Sequence, residues 1–191
     1  MLSQGASLIL DSISGLFIVA LLLRFYLQLF RAPYGNPLSP FLIALTDFIV
    51  RPTRRIIPGL WGLDLATLIL AFLVKAISIS ISLWVSGIAP HPFGSSTYLA
   101  ILLLSVTGLM KQSVHIFMVV IIVQAILSWV NPYAPIAPVL NSLSRPFLDF
   151  FRKRIPPVGN VDLSPIIVIF LMQLVLTIPV AWLESLCFGM F

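Results

Sequence analysis

Four stretches of the chain are long and apolar enough to cross a lipid bilayer. The hydrocarbon core of a bilayer is about 30 Å thick, and a helix needs roughly 20 apolar residues to span it. Runs close to that length occupy residues 8–30, 63–88, 114–130 and 163–187. Because backbone groups in lipid must be hydrogen-bonded within the protein, each run is predicted to be helical. The sequence therefore predicts an all-α membrane protein with four transmembrane helices.

Composition excludes an ordinary soluble domain, since 60% of the residues are hydrophobic and only 9% are charged. A fifth apolar run, residues 98–110, is too short to cross the bilayer before Lys111. We predict that it forms an interfacial or re-entrant segment. Counting it as a span would place the two basic connections on opposite faces of the membrane, against the positive-inside rule.

Basic residues concentrate in the two long connections that follow the first and third predicted spans, whereas the termini and the turn at residues 89–97 are nearly free of them. The basic residues of these connections are Arg31, Arg51, Arg54, Arg55, Arg145, Arg152, Lys153 and Arg154. Loops rich in Lys and Arg remain in the cytoplasm. Both connections are therefore predicted to be cytoplasmic, with both termini outside.

The two basic connections are copies of one another. A shift of 98 residues matches Arg54 with Arg152, Arg55 with Lys153, Ile57 with Ile155, Pro58 with Pro156 and Asp64 with Asp162. Each connection also opens with an Asn-Pro-x-x-Pro sequence. Because an even number of spans separates the copies, both have the same orientation. We predict two parallel-oriented two-helix repeats, at residues 1–90 and 91–191.

The repeated motif is specific enough to suggest a family. It reads Arg54-Arg55-Ile56-Ile57-Pro58 with Asp64-Leu65 in the first copy, and Arg152-Lys153-Arg154-Ile155-Pro156-Pro157 with Asp162-Leu163-Ser164-Pro165-Ile166 in the second. This pattern resembles the YggT (YlmG) family of bacterial and plastid membrane proteins, over residues 16–83 and 117–176. The first copy departs from it, with Ala66-Thr67 in place of Ser-Pro.

The resemblance implies a multi-pass protein of the bacterial cytoplasmic (inner) membrane, with both termini in the periplasm. It also implies a role in the biogenesis of membrane complexes, in nucleoid or division-related organisation, or in tolerance of osmotic stress. None of these associations names a molecular activity.

Asp64 and Asp162 precede the second helix of each repeat. Asp is favoured at helix starts because its carboxylate accepts hydrogen bonds from unpaired backbone N–H groups. Pro165 suits a first helical turn because that turn does not use its missing N–H. We predict helix-capping roles for both aspartates, with ligand binding or proton acceptance as the alternative.

The basic clusters are predicted to bind partners at the membrane surface. They comprise Arg51, Arg54, Arg55, Arg145, Arg152, Lys153 and Arg154. Each cation near anionic head groups contributes about 1 kcal/mol of attraction, so membrane lipids are the first expected partner. The alternatives are an unidentified membrane or cytoplasmic protein, a further copy of this chain, or Asp64 and Asp162 themselves. Nucleic acid is not expected, because no nucleic-acid-reading motif surrounds the cations.

The apolar residues between the charges predict short amphipathic surface helices near residues 38–50 and 136–151. Lys75 lies about 16 Å along the second span from Asp64, near the bilayer centre, where a charge usually faces a bundle interior or water. Ser78 and Ser82 extend the same polar stripe.

These polar positions also recur between the repeats. A shift of 98 carries Lys75 onto Gln173, and a shift of 100 carries Arg24 onto Gln124. We predict an intramembrane polar seam in which Lys75 faces Gln173, with no carboxylate at the depth of Lys75. The alternative is that these groups only hold helices together through interhelical hydrogen bonds.

Catalysis is not expected. His91 and His115 lack metal-ligand spacing, and the sequence contains no phosphate-binding glycine loop, so no metal or cofactor is predicted. The leading hypothesis is a non-catalytic assembly or organising factor. The alternative is an oligomeric channel or transporter for ions or small osmolytes, because the Lys75 seam and the parallel repeat would suit a pore lined by several copies.

Overall fold

The computed structural model describes residues 2–33, 35–57, 59, 63–85, 95–155 and 162–189. Within these residues the chain is helical almost throughout. The helices are α1 (Leu2–Leu29), α2 (Leu38–Ile56), α3 (Leu65–Val85), α4 (Ser95–Val130), α5 (Ala137–Arg152), α6 (Ser164–Val175) and α7 (Ala181–Phe188), with a π-helical turn (Leu176–Val180) between α6 and α7.

In the described part of the chain, four helical segments are long and apolar enough to span a membrane. They are Leu8–Leu29, Leu65–Val85, Ser96–Val130 and Ser164–Phe188. The predicted class, an all-α protein with four transmembrane helices, is confirmed. The last span contains α6, the π-helical turn and α7, and Pro179 lies in that turn. Proline removes a helical hydrogen bond, and a π-helical turn is one way for a helix to continue past such a site.

The prediction for residues 98–110 is wrong. Instead of a separate interfacial or re-entrant segment, these residues belong to α4, a continuous helix of 36 residues. Lys111 was the reason to end the segment, yet its Nζ hydrogen bonds to both carboxylate oxygens of Glu184 at 3.0 and 2.9 Å. With its charge paired, the helix continues. At 1.5 Å per residue α4 is about 54 Å long, so it must tilt or project beyond the apolar layer.

Two amphipathic helices lie where the sequence predicts surface helices. α2 buries Leu42, Thr46 and Val50, which are spaced by four residues and so share one face. α5 likewise buries Val139, Leu143 and other residues along one stripe. The faces opposite these stripes carry the basic residues and several exposed aromatic and aliphatic side chains. We call the end of the bundle that carries α2 and α5 the basic face.

Both amphipathic helices pack into the same core. Leu21 and Leu22 of α1 are almost completely buried in a cluster that also contains Val50 and Val139. A run of aromatic rings extends this contact, because Phe117 of α4 lies 4.6 Å, centroid to centroid, from the rings of both Tyr26 and Phe147. Aromatic pairs at this separation add to the burial energy. The packing of α1, α4 and α5 therefore joins the two halves at the basic face.

The orientation of the basic face can be tested by cysteine labelling in intact bacterial cells. We expect a membrane-impermeant maleimide to leave Arg51→Cys and Tyr133→Cys unlabelled and to label Gly5→Cys, in a Cys187→Ser background. Tyr133 is 94% exposed, Arg51 is exposed and a side chain at Gly5 would meet open space, so a reagent on the matching side of the membrane can reach each site. Labelling of both Arg51→Cys and Tyr133→Cys would show that the basic face lies outside the cell. Labelling of only one of them would contradict a topology with four spans.

Candidate functional site

Each amphipathic helix is fixed to the span that follows it by an arginine–aspartate pair. Arg54 Nε donates to Asp64 Oδ1 at 3.3 Å, and Arg54 Nη2 donates to Asp64 Oδ2. In the second copy Arg152 Nε donates to Asp162 Oδ2 at 2.7 Å. The four residues are equivalent under the shift of 98 residues. The same bridge thus occurs in both halves. Two of the arginines that were predicted to bind lipid or a partner, Arg54 and Arg152, form intramolecular ion pairs instead.

Asp64 also stands at the N-cap position of α3. Its Oδ1 accepts a hydrogen bond from the Thr67 backbone N–H at 3.3 Å, and its Oδ2 accepts one from the Thr67 hydroxyl. The residue is only 3% exposed. A buried carboxylate is costly unless it is hydrogen-bonded and paired, and here a guanidinium, a hydroxyl and a backbone N–H supply the partners.

Asp162 lies one residue before the N-cap of α6, which is Leu163, so its position differs from that of Asp64. Its Oδ1 accepts from the backbone N–H of Ser164 at 2.9 Å. The shift of 98 places Pro165 where the first copy has Thr67, and proline has no N–H to donate. The departure of the first copy from the Ser-Pro pattern thus has a physical consequence: Thr67 gives Asp64 two hydrogen bonds that Pro165 cannot give Asp162.

The bridges determine the protonation of both aspartates. Burial by itself raises the pKa of the Asp64 carboxyl, but the hydrogen bonds from Arg54 and Thr67 outweigh burial and hold the pKa below its ordinary value. The same balance, with bonds from Arg152 and the Ser164 backbone, lowers the pKa of Asp162. The hydrogen bond to Asp64 raises the pKa of Arg54. Both bridges are therefore ionised at neutral pH.

Polar groups on the first span of each repeat hold the amphipathic helices from the other side. Arg24 donates to Thr46 Oγ1 at 2.8 Å and to Asp47 Oδ1 at 3.0 Å on α2. Arg24 therefore attaches α1 to α2 and is not part of a seam with Lys75.

The second repeat has an equivalent contact. Gln124 Nε2 donates to Asn141 Oδ1 at 3.2 Å, and Ser144 Oγ donates to Gln124 Oε1. Ser144 occupies the position of Thr46 under the shift of 98, and both are completely buried. Gln124 therefore attaches α4 to α5.

The remaining basic residues differ in their surroundings. Arg145 pairs with Asp149 one turn further along α5, at 3.0 Å. The Arg154 guanidinium lies 3.8 Å from the centre of the Phe150 ring. Among the described residues, Arg51, Arg55 and Lys153 have no carboxylate partner and are exposed. These three cations remain available on the basic face.

The predicted pairing of Lys75 with Gln173 is wrong. Within the described residues α3 does not contact α6, and Gln173 is exposed. An apolar groove separates the two helices, with Phe72 of α3 and Met172 of α6 among its lining residues. Gln173 thus faces outward. Of the six residues of the proposed seam, Lys75, Ser78 and Ser82 remain together on α3, whereas Arg24 and Gln124 contact the amphipathic helices.

Lys75 instead lines a cavity of about 520 Å³ between α1, α3, α4 and α7, whose walls carry charged as well as apolar side chains. Asp11, Lys111 and Glu184 line the same cavity, so two carboxylates share it with Lys75. The sequence interpretation counted depth along each helix separately and missed that the helices bring these charges together. Lys75 Nζ has no hydrogen-bond or ion-pair partner among the described residues.

Two further contacts shape this cavity. Ser78 and Ser82 donate to Asp11 Oδ1 at 3.4 and 3.3 Å. A Cβ at Gly108 would lie 2.5 Å from Lys75 Cε, so the absence of a side chain at Gly108 makes room for the lysine. In the described part of the chain, no three His, Cys, Asp or Glu residues are grouped closely enough to hold a metal ion.

Sequence reasoning missed the Lys111–Glu184 and Arg24–Asp47 pairs. The shift of 100 that relates Arg24 to Gln124 also relates Asp11 to Lys111, but it involves neither Glu184 nor Asp47, so it does not identify either pair.

Comparisons with known proteins agree on one family. The family model described as CCB3/YggT matches residues 3–85 and 103–183. An uncharacterized protein of Pseudomonas aeruginosa is 37% identical over 176 residues, covering 91% of this chain and 87% of that protein. The uncharacterized protein YggT of Escherichia coli K12 is 30% identical over 177 residues, covering 87% of this chain and 85% of that protein.

A plant protein matches a shorter segment. YlmG homolog protein 2, chloroplastic, of Arabidopsis thaliana is 40% identical over 70 residues, covering 33% of this chain and 28% of that protein. No solved structure matches the chain.

The Arg54–Asp64 bridge gives a prediction for stability. Asp64→Asn should lower the free energy of unfolding at pH 7 by about 1–3 kcal/mol, because buried donors lose their charged acceptor. Asp162→Asn should cost less, since the side chain of Asp162 is 38% exposed. Thermal unfolding in detergent, followed by tryptophan fluorescence, measures both, and Arg145→Gln is the control because an exposed pair contributes about 0.5 kcal/mol or less.

The contribution of the Asp64 carboxylate to the free energy of unfolding should depend on pH. Because the folded-state pKa of Asp64 is below its ordinary value of 3.8, its contribution is present above that value and is lost as the pH falls through the lowered pKa. The difference between wild type and Asp64→Asn should therefore shrink in acid. A difference that stays constant from pH 7 down to pH 3 would contradict an ionised bridge.

Proposed function

The chain belongs to the CCB3/YggT family, and from this premise we propose that it is a non-catalytic organising factor of the bacterial cytoplasmic membrane. It positions membrane protein complexes by binding them at the basic face, and this role underlies the maintenance of the envelope under osmotic stress. The observation that carries the proposal is the repeated arginine–aspartate bridge, which holds two cationic helices at fixed positions on one face.

Rigidity is what makes the basic face suited to recognition. α2 is held by Arg24 at its middle and by Asp64 at its end, so its exposed Arg51 and Arg55 are borne by a helix attached at two points. Binding to a surface whose backbone is already ordered costs less conformational entropy than ordering a loop. The cationic face therefore favours partners that present carboxylates beside the membrane.

Anionic lipid and an acidic partner protein use the same cations in complementary ways. Lipid attraction keeps the amphipathic helices at the membrane surface, where exposed Phe41 and Phe48 are suited to contact the apolar layer. A partner protein can then displace head groups from Arg51 and Arg55. In this proposal the protein acts as a docking platform with no substrate.

A second candidate function is an ion or osmolyte pathway, which the Lys75 cavity favours. An ammonium group without a partner among the described residues, beside Lys111 and two carboxylates, is unusual within membrane-spanning helices and is typical of transport pathways. With four spans per chain, such a pathway would have to be completed by further copies of the chain.

Partner binding can be tested by photo-crosslinking in native membranes. A photoreactive amino acid at Ile56, which is 81% exposed and next to Arg55, should form discrete protein adducts in the full-length chain. The double variant Arg51→Gln/Arg55→Gln should reduce their yield about tenfold or more, since two cations each contribute about 1 kcal/mol.

The control for this experiment is Arg145→Gln, which removes a cation that already pairs with Asp149. It should leave the adducts unchanged. If the adducts persist in the double variant, or if none form at Ile56, partner recognition by α2 is refuted.

Flux measurements separate the two candidate functions. For the organising role, liposomes that contain the purified protein should leak K⁺, Cl⁻ and glycine betaine no faster than empty liposomes. Flux that falls in both Lys75→Met and Gly108→Leu, and that is retained in Arg55→Gln, would instead establish the pathway, because the leucine would displace the lysine side chain.

A further inference from the structure

An apolar groove runs between the two halves of the protein. It has a volume of about 1030 Å³ and lies between α3 and α6, with α1 and α4 behind it and α5 closing the end at the basic face. Leu68 and Phe72 form one wall, and Val168, Leu171 and Met172 form the other. Its volume is at the upper end of the roughly 300–1,000 Å³ typical of ligand pockets.

The interior of the groove offers a ligand nothing to hydrogen bond. The polar side chains among its lining residues are Tyr26 and Ser113, and the tyrosine hydroxyl donates to Ser113 Oγ at 2.7 Å. Their hydrogen bond satisfies both groups locally. An occupant that placed polar atoms here would lose its own hydrogen bonds, so the part inside the groove must be hydrocarbon.

Positive charge stands where the groove meets the basic face. Phe150 and Phe151 line the groove, and the next residues of the chain are basic. Arg152 is committed to Asp162, whereas Arg154 stacks on the Phe150 ring at 3.8 Å. Neither Lys153 nor Arg154 has a carboxylate partner among the described residues.

We propose that this groove is a binding site for an anionic phospholipid, with acyl chains between α3 and α6 and with the phosphate at Lys153 and Arg154. The apolar walls match the acyl chains of such a lipid, and the two cations at the end of the groove, which have no carboxylate partner among the described residues, match its phosphate. A transmembrane helix of another protein would fill the hydrocarbon part but would leave the cations without an anion. The charge at the mouth therefore favours lipid.

The head-group end of the site has no equivalent in the first half of the chain. Under the shift of 98, Arg154 corresponds to Ile56, and Phe150 and Phe151 correspond to Pro52 and Thr53. The first copy thus has neither the aromatic floor nor the stacked guanidinium. A lipid held here contacts α3 of one half and α6 of the other, so it joins the repeats where their helices do not touch.

The head-group contact is tested with the full-length protein in detergent by native mass spectrometry, with added phosphatidylglycerol or phosphatidylcholine. We expect one tightly held phosphatidylglycerol per chain and weaker retention of phosphatidylcholine. Arg154→Gln should weaken phosphatidylglycerol binding about fivefold, which corresponds to about 1 kcal/mol. Arg145→Gln is the control because Arg145 already pairs with Asp149 and does not line the groove, and it should leave binding unchanged.

The acyl-chain contact is tested on α6. Leu171→Trp fills the groove and should abolish retention of both lipids, whereas Phe170→Trp, one residue away and outside the groove, should not. Equal lipid retention in wild type, Arg154→Gln and Leu171→Trp would overturn the proposal. So would a dimer that only Leu171→Trp dissociates, because a second copy would then occupy the groove.

These outcomes are independent of partner recognition by Arg51 and Arg55, because the photo-crosslinking experiment changes neither Arg154 nor α6.

Discussion

The carboxylates at the starts of α3 and α6 determine how the rest of the basic face is arranged. A helix that begins at a membrane surface has unpaired N–H groups, and Asp64 and Asp162 accept hydrogen bonds from them. Each carboxylate then attracts an arginine from the end of the preceding amphipathic helix. One residue thereby starts a span and anchors a surface helix, so the position of α2 and α5 follows from how the spans begin.

Charges deeper in the bundle obey the same requirement for compensation. Lys111 remains within a long helix because Glu184 on α7 binds it with both carboxylate oxygens. Lys75 has no such partner among the described residues. It lines a cavity that it shares with Asp11, Lys111 and Glu184, and facing a cavity is the other way to make a charge tolerable between apolar helices. Lys111 thus stabilises the packing of α4 against α7, whereas Lys75 keeps a charge that can act on a ligand or ion.

The sequence predicts the number of spans, the amphipathic helices and the Arg–Asp spacing, because each depends on local pattern. Hydropathy identifies a span, and a shift of 98 residues identifies equivalent residues, without any knowledge of packing. The continuous α4 and the surroundings of Lys75 depend on which helices are neighbours, which one sequence does not specify. Lys111 interrupts an apolar run in the sequence, and only the fold brings its partner Glu184, far away in sequence, to face it.

The two halves share a framework of equivalent residues but present different surfaces. Both copies retain the bridge and the buried hydroxyl of Thr46 or Ser144, which are needed to hold an amphipathic helix in place. Positions outside this framework were free to diverge. The first copy has Thr67 and a more deeply buried bridge, whereas the second has Phe150 beneath Arg154 beside an open groove. The conserved framework fixes the helices, and the divergent residues decide what each half can bind.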